Sequence, residues 1–292
     1  MGTTTDLALD VAALMERVDT FVAERMAAEH TPAIQLAVTD RNGLLAQRAY
    51  GFADVAAQRP LTHDDLFEFG SIGKSFTAII CLQLAEAGVL GLHAPVTTYL
   101  PWLSIPSRHE PITIHHLLTH TAGIIGGSDF APDPRYEIWA LRESEATAPG
   151  VKARYSNAGY KLLGLLLEAV TGQTYAQLVQ ERIFAPLGMA GAEGAITNEM
   201  RSRLAIGYVP THNDRPWRPE HGFAPATWFE TNTADGCLAA NASDLATYLR
   251  MLLNRGAYPG GCLLSEESFA LLTAPHTTLG DDYPYGYGLG VG

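Results

Sequence analysis

Apolar positions along the chain mark the first segments of regular structure. Residues 1–26, MGTTTDLALDVAALMERVDTFVAERM, mix apolar residues with Asp, Glu and Arg at helical spacing, which predicts an amphipathic helix. Two runs typical of strands, AIQLAVTD and LLAQRAYGF, then flank Asn42 and Gly43. Asn-Gly between such runs is a strong hairpin signal, so two antiparallel strands are predicted between residues 33 and 52.

The middle of the chain is predicted to be mostly helical. Helices fit residues 71–87, 114–119, 136–146, 174–184 and 243–254. A further helix covers AGYKLLGLLLEAVTG, and Gly172 is expected to end it. For the helix at 243–254 we expect Ser243 and Asp244 as the cap and Gly256 as the stop. Loops rich in Pro, Gly and Asp are predicted at 126–134 and 209–227, with short strands within 227–241. The terminal YPYGYGLGVG predicts the start of a strand.

This order of elements predicts an α+β fold. A two-stranded hairpin is not stable alone, so an antiparallel sheet flanked by helices should lie beside a mostly helical domain. We expect residues 1–66 to supply the N-terminal helix and the hairpin, residues 67–255 the helical domain, and residues 256–292 a return to the α/β part. The natural partner strands would follow residue 292, so the sheet is expected to be incomplete at the C-terminus.

Composition and charge exclude several classes of partner. The 292 residues are 47% hydrophobic and 17% charged, as in a globular protein. A net charge of -12 argues against nucleic acid, because phosphate binding needs a basic surface. No apolar run approaches the roughly 20 residues of a membrane span. No signal peptide is visible, so we predict a cytoplasmic protein without a membrane partner, although a lost leader would leave the same sequence.

The three cysteines, Cys81, Cys237 and Cys262, lie far apart in apolar or small-residue surroundings. This spacing favours buried free thiols over disulfides. The histidines at 115, 116 and 120 resemble a metal-ligand cluster in composition only, because neighbours on a helix point apart. We favour a structural histidine that fixes the loop before Gly123, and we expect neither a metal nor another cofactor.

Ser71 and Lys74 are the first candidates for chemistry. Positions three apart on a helix lie on neighbouring turns of one face, so hydroxyl and amine could come within hydrogen-bond reach. The positive end of the helix dipole and burial would both disfavour a protonated amine, and a neutral lysine could accept the serine proton. The chain has only three lysines, which makes this spacing less easily accidental. The alternative is a serine helix cap beside a solvated lysine.

Tyr155 and Asn157 form a second candidate group just before the leucine-rich helix. A tyrosine at a helix start places its phenol at the helix mouth, where nearby cations would favour phenolate and thus a general base. Asn157 offers a donor and an acceptor suited to an amide or ester carbonyl. The alternative is a packed aromatic residue followed by a helix cap at Ser156 or Asn157.

From about residue 30 to the end, the chain resembles the serine β-lactamase and penicillin-binding-like hydrolases, in the branch of class C β-lactamases, family VIII carboxylesterases and D-stereospecific peptidases. The resemblance rests on FEFGSIGKSFTA, ITIHHLLTHTAGI, a block from Pro149-Gly150 through YSNAGYKLLGLLLEAVTG to IFAPLGM, DGCLAANASDLATYLRMLL, and YGYGLGVG. These stretches occur in the order of the family, which makes the resemblance specific.

The resemblance implies an acyl-enzyme mechanism. Ser71 would be the nucleophile, Lys74 its activating partner and Tyr155 the base that relays protons. Asn157 would hold the substrate amide and the lysine, and the backbone N–H of Ser71 would form half of the oxyanion hole.

The family's third motif, a Lys or His followed one residue later by Gly on a strand at the sheet edge, is not found. His212, His221 and His276 lack both the pattern and a strand context. The chain is therefore expected either to stop short of that motif or to diverge from the family at this point.

The loop at 209–230 is a candidate substrate wall. It carries Trp217, His221, Phe223, Trp228 and Phe229, and Trp228 and Phe229 are the residues we assign to substrate binding. The alternative is that these aromatics cover core.

The function predicted from the sequence is therefore a serine hydrolase of a small ester or amide, with self-association possible at the bare sheet edge. Esterase, peptidase and β-lactamase activities stay open. The alternative function is a non-catalytic or shortened binding or sensing module with an incomplete site.

Overall fold

The computed structural model describes residues 10–129, 133–212, 214–216, 218–280 and 282–290. Within these ranges the α-helices are α1 (Val11–Glu29), α2 (Gly73–Glu86), α3 (Ile114–Leu118), α4 (Pro134–Ala140), α5 (Asn157–Thr171), α6 (Tyr175–Val179), α7 (Ala185–Leu187), α8 (Ala242–Leu253) and α9 (Glu266–Thr273). Short 3-10 turns occur at Gly70–Ile72, Val96–Thr98, Leu141–Glu143, Arg201–Arg203 and Pro219–His221, and a π-helical turn covers Gln180–Phe184.

The strands are short except for the first two. They are β1 (Ala33–Thr39), β2 (Leu44–Asp54), β3 (Arg59–Pro60), β4 (Phe67–Glu68), β5 (Tyr208–Pro210), β6 (Phe223–Pro225), β7 (Ala239–Ala240), β8 (Ala257–Tyr258), β9 (Gly261–Cys262), β10 (Thr277–Leu279) and β11 (Tyr283–Tyr285). They form a three-stranded sheet β1-β2-β3 and two-stranded pairs β4-β7, β5-β6, β8-β9 and β10-β11. All of these pairings are antiparallel.

The predicted hairpin is confirmed. Ala33 pairs with Gly51 and Thr39 with Leu44, with a bulge next to the turn. Helix α1 packs against β2, where the Tyr50 hydroxyl lies 2.5 Å from an Asp19 carboxylate oxygen. Helix α8 packs against β1, and the Gln35 side chain accepts from the backbone N–H of Ala242 at 2.9 Å. The hairpin is therefore covered by helices from both ends of the chain.

Helix α2 runs through the main core. It contacts α5, α6 and α9, and its residues from 73 to 82 are all buried. Phe76 stacks on Tyr248 of α8 with ring centroids 4.1 Å apart. The Thr77 hydroxyl lies 2.7 Å from the Tyr175 hydroxyl and donates to the Ala234 carbonyl at 2.7 Å. The hydroxyl of Thr77 in this buried helix thus has internal partners, as burial requires.

Several predicted boundaries were wrong. The helix assigned to 136–146 begins two residues earlier, at Pro134, because the Asp133 carboxylate caps it there. It becomes a 3-10 turn after Ala140. Helix α8 is capped by Asn241, whose side-chain oxygen accepts from the Asp244 N–H at 2.8 Å, and not by Ser243. The loop predicted at 209–227 contains strand β6 and the end of β5. The predicted stop of α5 is confirmed, since Gly172 adopts φ 72°.

Other differences concern the ends of the chain and the cysteines. Helix α1 starts at Val11, and the first nine residues of its predicted range lie outside the described residues. The last strand of the described chain is Tyr283–Tyr285, inside the terminal stretch where the start of a strand was predicted, and it pairs back onto Thr277–Leu279. His276 adjoins that pair and donates its N–H to the Tyr285 carbonyl at 3.0 Å, so its strand context was missed. Cys81 and Cys237 are buried free thiols, whereas Cys262 is exposed.

The predicted division into residues 1–66, 67–255 and 256–292 stays a prediction. Among the described residues, no helix combines the length and apolar character needed to cross a membrane.

Candidate active site

Ser71 lies in the 3-10 turn Gly70–Ile72, directly before α2. Neither this turn nor α2 has a side-chain cap, so Ser71 is not a helix cap. The side chain is exposed, and its Oγ lies 3.1 Å from Lys74 Nζ. Of the two interpretations of this serine, the structure supports a hydroxyl held beside an amine.

Lys74 is fully buried, which contradicts the alternative of a solvated lysine. Its Nζ donates to the Asp235 carbonyl at 2.5 Å and lies 4.9 Å from the centroid of the Tyr155 ring. Desolvation by burial lowers the pKa of Lys74 from 10.5 to about 8, against the opposing charges of Asp235 and Asp129. Burial is thus the main cause of the lowered pKa, to which the helix dipole was also expected to contribute. Part of the Lys74 amine is therefore neutral near pH 7.

Tyr155 faces the same amine from the start of α5 and is 40% exposed. Its phenol hydrogen-bonds to Ser71, which favours the phenolate, but desolvation has a larger effect and raises the pKa of Tyr155. The charges of Asp235 and Asp129 raise it further. Nearby cations were expected to favour phenolate; desolvation outweighs them and keeps the pKa of the phenol raised, although Lys74 Nζ lies 4.9 Å from the ring centroid. The phenol is therefore protonated at neutral pH.

His120 holds the segment that carries Tyr155. Its ring lies 4.4 Å from the Tyr155 ring, and its Nδ1 accepts from the Ser156 N–H at 3.0 Å. Its carbonyl accepts from the Arg154 N–H at 2.8 Å. Burial lowers the pKa of His120 to about 3, so the ring stays neutral and can accept. A structural histidine was expected to fix the loop before Gly123; these bonds of His120 hold the Tyr155 segment.

Asn157 lies in the first turn of α5 and is 8% exposed. The cap of this helix is Ser156, whose Oγ accepts from the Gly159 N–H at 3.0 Å, as one alternative predicted. The Asn157 amide nitrogen donates to the Asp129 carboxylate, and its buried side-chain oxygen has no partner among the described residues. Asn157 is thus near the site, but its recorded bond is to Asp129 and not to Lys74.

Two glycines let backbones meet at Lys74. A Cβ at Gly236 (φ 153°) would lie 2.6 Å from the Gly70 carbonyl oxygen and 3.1 Å from the Ser71 nitrogen. A Cβ at Gly288 (φ 74°) would lie 2.4 Å from the Lys74 carbonyl oxygen. Segments from residues 236 and 288 therefore close around the start of α2, and a side chain at either glycine would separate them.

The predicted substrate wall is only partly described. Trp228 packs on a small core of Leu66, Ile196, Met200, Leu204, Cys237 and Ala239. Its indole N–H donates to the Asn198 side chain at 3.2 Å, and the Arg201 guanidinium lies 5.2 Å from its ring centroid. These contacts agree with the core-covering alternative for Trp228. A substrate role for Trp228 or Phe229 stays a prediction, and Trp217 lies outside the described residues.

Sequence reasoning missed Asp129, Asp235 and Lys161. Lys161 is 1% exposed, and Asp235 is 6% exposed. The signal that could have found two of them is a charge inside an apolar run, since Lys161 follows AGY in a leucine-rich helix and Asp235 precedes GCLAA. Charges placed where burial is predicted need partners, so they point to one another.

The candidate metal cluster forms an aromatic group instead. His115 Nδ1 lies 2.6 Å from the Tyr287 hydroxyl, and the His115 and His116 ring centroids are 6.0 Å apart. Across the parts of the chain that the structure describes, no group of three His, Cys, Asp or Glu side chains is arranged to hold a metal ion.

The family model described as Beta-lactamase matches residues 18–292. Penicillin-binding protein 4 of Amycolatopsis lactamdurans is 31% identical over 276 residues, which cover 90% of this chain and 69% of that protein. Esterase EstB of Burkholderia gladioli is 34% identical over 234 residues, or 73% of this chain and 58% of the esterase.

The fold has solved counterparts. The octameric penicillin-binding protein homologue from Pyrococcus abyssi superposes with a TM-score of 0.81 at 29% identity, over 94% of this chain and 64% of that one. This likeness confirms the predicted β-lactamase/transpeptidase-like α+β fold, with helices and small antiparallel sheets.

Proposed function

Because this chain belongs to the Beta-lactamase family, we propose that it is a serine hydrolase that cleaves a small ester or amide through an acyl-enzyme on Ser71. Relatives named as a penicillin-binding protein and an esterase support a serine hydrolase-type function. The observation that carries the proposal is the 3.1 Å separation between Ser71 Oγ and the fully buried Lys74 Nζ. An exposed nucleophile beside a partly neutral amine is the arrangement that acyl transfer needs.

In the proposed acylation step, Ser71 Oγ attacks the substrate carbonyl carbon while its proton moves to neutral Lys74 Nζ. Collapse of the tetrahedral intermediate breaks the bond to the leaving group, which must gain a proton. Tyr155 suits that donation, because its raised pKa keeps the phenol protonated and it is hydrogen-bonded to Ser71. Lys74 then returns the proton to Tyr155. Water later attacks the acyl carbonyl carbon and gives a proton to neutral Lys74 Nζ. The bond between that carbon and Ser71 Oγ then breaks, and Lys74 returns the proton to Oγ.

Asn157 and the loop at 209–230 are proposed to contact substrate. The side-chain oxygen of Asn157, for which the described part of the chain offers no partner, can accept a hydrogen bond from a substrate N–H. Trp228 and Phe229 are proposed as the apolar side of the pocket, with the packing of Trp228 on its own core setting the position of that loop.

The test is covalent labelling of this chain with a fluorophosphonate, followed by peptide mass spectrometry. The probe forms an O–P bond at the reactive serine and releases fluoride. We expect one adduct, on Ser71, and none on Ser71→Ala. Ser75 and Ser156 serve as internal controls, since both hydroxyls are tied to protein partners. An adduct on either of them, or labelling that persists in Ser71→Ala, contradicts the proposal. No labelling of the folded chain would instead support the binding or sensing module.

The substrate class can then be ranked by kcat/KM on p-nitrophenyl esters, D-amino-acid amides and a chromogenic β-lactam. Esters should be cleaved fastest, because their leaving group needs least help from a proton donor. An amide or lactam that exceeds the esters would move the proposal to a peptidase or a β-lactamase.

Self-association is proposed at the open side of the three-stranded sheet. Among the described residues, β1 is an edge strand that pairs only with β2, and edge strands are common sites of association. The solved homologue of 29% identity is octameric. Light scattering coupled to size exclusion should give a mass above the 31.4 kDa of one chain, and a monomer at micromolar concentration would contradict this.

A further inference from the structure

A second buried lysine lies behind the candidate nucleophile and base. Lys161 sits in the second turn of α5 and is 1% exposed. Its Nζ donates to the Ser128 carbonyl and to Glu137 Oε2, the latter at 2.6 Å, and lies 3.7 Å from Asp235 Oδ2. An ammonium group at this depth is costly unless it is paired, so its partners define what it does. They belong to three different segments of the chain.

Asp235 links this lysine to Lys74. Its carboxylate faces Lys161, and its backbone carbonyl accepts from Lys74 Nζ at 2.5 Å. The other carboxylate oxygen, Oδ1, is buried without a partner among the described residues. The ion pair therefore contributes to holding the residue whose carbonyl fixes the amine next to Ser71.

Ser128 and Glu137 extend the same restraint to the far side of the site. The Glu137 carboxylate accepts from the Ser128 N–H at 2.6 Å as well as from Lys161. Ser128 is followed by Asp129, which accepts from the Asn157 amide. One ammonium group thus ties the loop beside Asn157 and the segment beneath Lys74 to the same turn of α5.

We propose that Lys161 is a positioning residue for acylation, which holds Asp235 and the loop at Ser128 so that Lys74 stays aligned with Ser71. This inference rests on the proposed function. Lys161 acts through Asp235, since its recorded contacts are with Ser128, Glu137 and Asp235 and not with Ser71.

Several charged or titratable groups face Lys74, and they determine whether each variant should raise or lower the pKa of Lys74. Carboxylates Asp235 and Asp129 and the Cys237 thiol favour its protonated form, and Lys161 opposes it. The neutral rings of His120, Tyr155 and Tyr160 complete the surroundings. Removing the Lys161 charge should raise the pKa of Lys74, and removing the Asp235 charge should lower it.

The experiment compares Lys161→Met and Asp235→Asn by the rate of fluorophosphonate labelling at Ser71 from pH 5.5 to 9. Asp235→Asn keeps the backbone carbonyl that Lys74 uses, and Glu137 still pairs with Lys161 in that variant. We expect the acidic limb of the profile to move to higher pH in Lys161→Met and to lower pH in Asp235→Asn. A movement of about half a unit to one unit corresponds to a threefold to tenfold change in rate at pH 6.5.

Two further variants keep the result interpretable. Lys161→Arg retains the charge and should keep the limb near that of the wild type, even if the larger group lowers the rate. Lys152→Met removes the third lysine of the chain, which is exposed, and should leave the profile unchanged. Circular dichroism and a thermal melt establish that each variant is folded.

The outcomes separate the two proposals. If wild-type Ser71 is not labelled, the proposed function fails. If Ser71 is labelled but Lys161→Met and Asp235→Asn lower the labelling rate equally at every pH, Lys161 is merely structural and this inference is overturned. The inference is also overturned if the acidic limb moves in the same direction in Lys161→Met and in Asp235→Asn. A folded Lys161→Met variant with the wild-type rate and pH profile would overturn it as well.

Discussion

Replacing Lys74 with methionine should change how the stability of the protein depends on pH. The side chain keeps its length and apolar stem but loses the amine, which is fully buried in the wild type. Desolvation lowers the pKa of Lys74 from 10.5 to about 8 in the folded state, whereas the unfolded chain should have the ordinary value. Between these two pKa values the unfolded wild type binds a proton that the folded wild type does not, so wild-type stability rises with pH there.

The size of this effect on stability follows from the difference between the folded and unfolded pKa values of Lys74. One unit of pKa shift is worth about 1.4 kcal/mol, so the fall to about 8 costs the folded wild type about 3 kcal/mol at pH 7. The methionine variant escapes this cost but loses the bond to the Asp235 carbonyl, which is worth about 1–3 kcal/mol when the acceptor is left buried. At pH 7 the variant should therefore be as stable as the wild type or more so, although the proposed mechanism predicts that it is inactive.

Raising the pH reduces the cost of burying the Lys74 amine, and this affects the wild type only. Between pH 7 and pH 9.5, the free energy of unfolding of the wild type should gain about 2 kcal/mol relative to the variant. Urea unfolding followed by circular dichroism at both pH values measures the difference, in which the other titrating groups cancel. Lys152→Met is the matched control, because that lysine is exposed and should show no such change. If the stability difference between the wild type and Lys74→Met stays constant from pH 7 to pH 9.5, the lowered pKa of the buried Lys74 is refuted.

Three further predictions test the surroundings of the amine. Lys74→Arg should lose at least about a hundredfold in the rate of Ser71 acylation, since a guanidinium stays protonated; a variant that keeps most of its rate would reduce Lys74 to a mere charge. His120→Ala should cost about 1–3 kcal/mol of unfolding free energy at pH 7, because the Ser156 N–H loses its acceptor. In the wild type His120 has a folded pKa of about 3, so stability should fall as the pH drops from 6.5, and the alanine variant should lose that part of the acid sensitivity in denaturant titrations. Gly288→Ala should lower the melting temperature more than Gly172→Ala, because both have φ near 70° but only the first Cβ would meet backbone, at 2.4 Å from the Lys74 carbonyl oxygen; equal losses would show that the segment yields freely.

Local features of this protein could be predicted from its sequence. The hairpin follows from Asn42-Gly43 between two strand-like runs, and the end of α5 follows from Gly172, because each depends on residues next to one another. The pairing of Ser71 with Lys74 is equally local, since three positions along a helical segment bring two side chains together. The family resemblance extended these local signals to the fold.

Boundaries were harder to predict, because nearby side chains compete to cap a helix. Asp133 and Asn241 start α4 and α8 ahead of the residues that the pattern favoured. The pair β5-β6 and the strand β10 were missed for a related reason: each of these strands has only three residues, too few for an alternating pattern.

The environment of the candidate site was decided by tertiary structure. Asp235 meets Lys74 across 161 positions, and His120 meets Ser156 across 36. No periodicity encodes such contacts, because they depend on how α2, α5 and the loop before α8 pack. The same packing buries Lys74 and desolvates the Tyr155 phenol, and this desolvation, with a smaller contribution from the charges of Asp235 and Asp129, raises the pKa of Tyr155. The sequence by itself determined which residues could react, and packing determined their protonation, because desolvation and distant charges set a pKa.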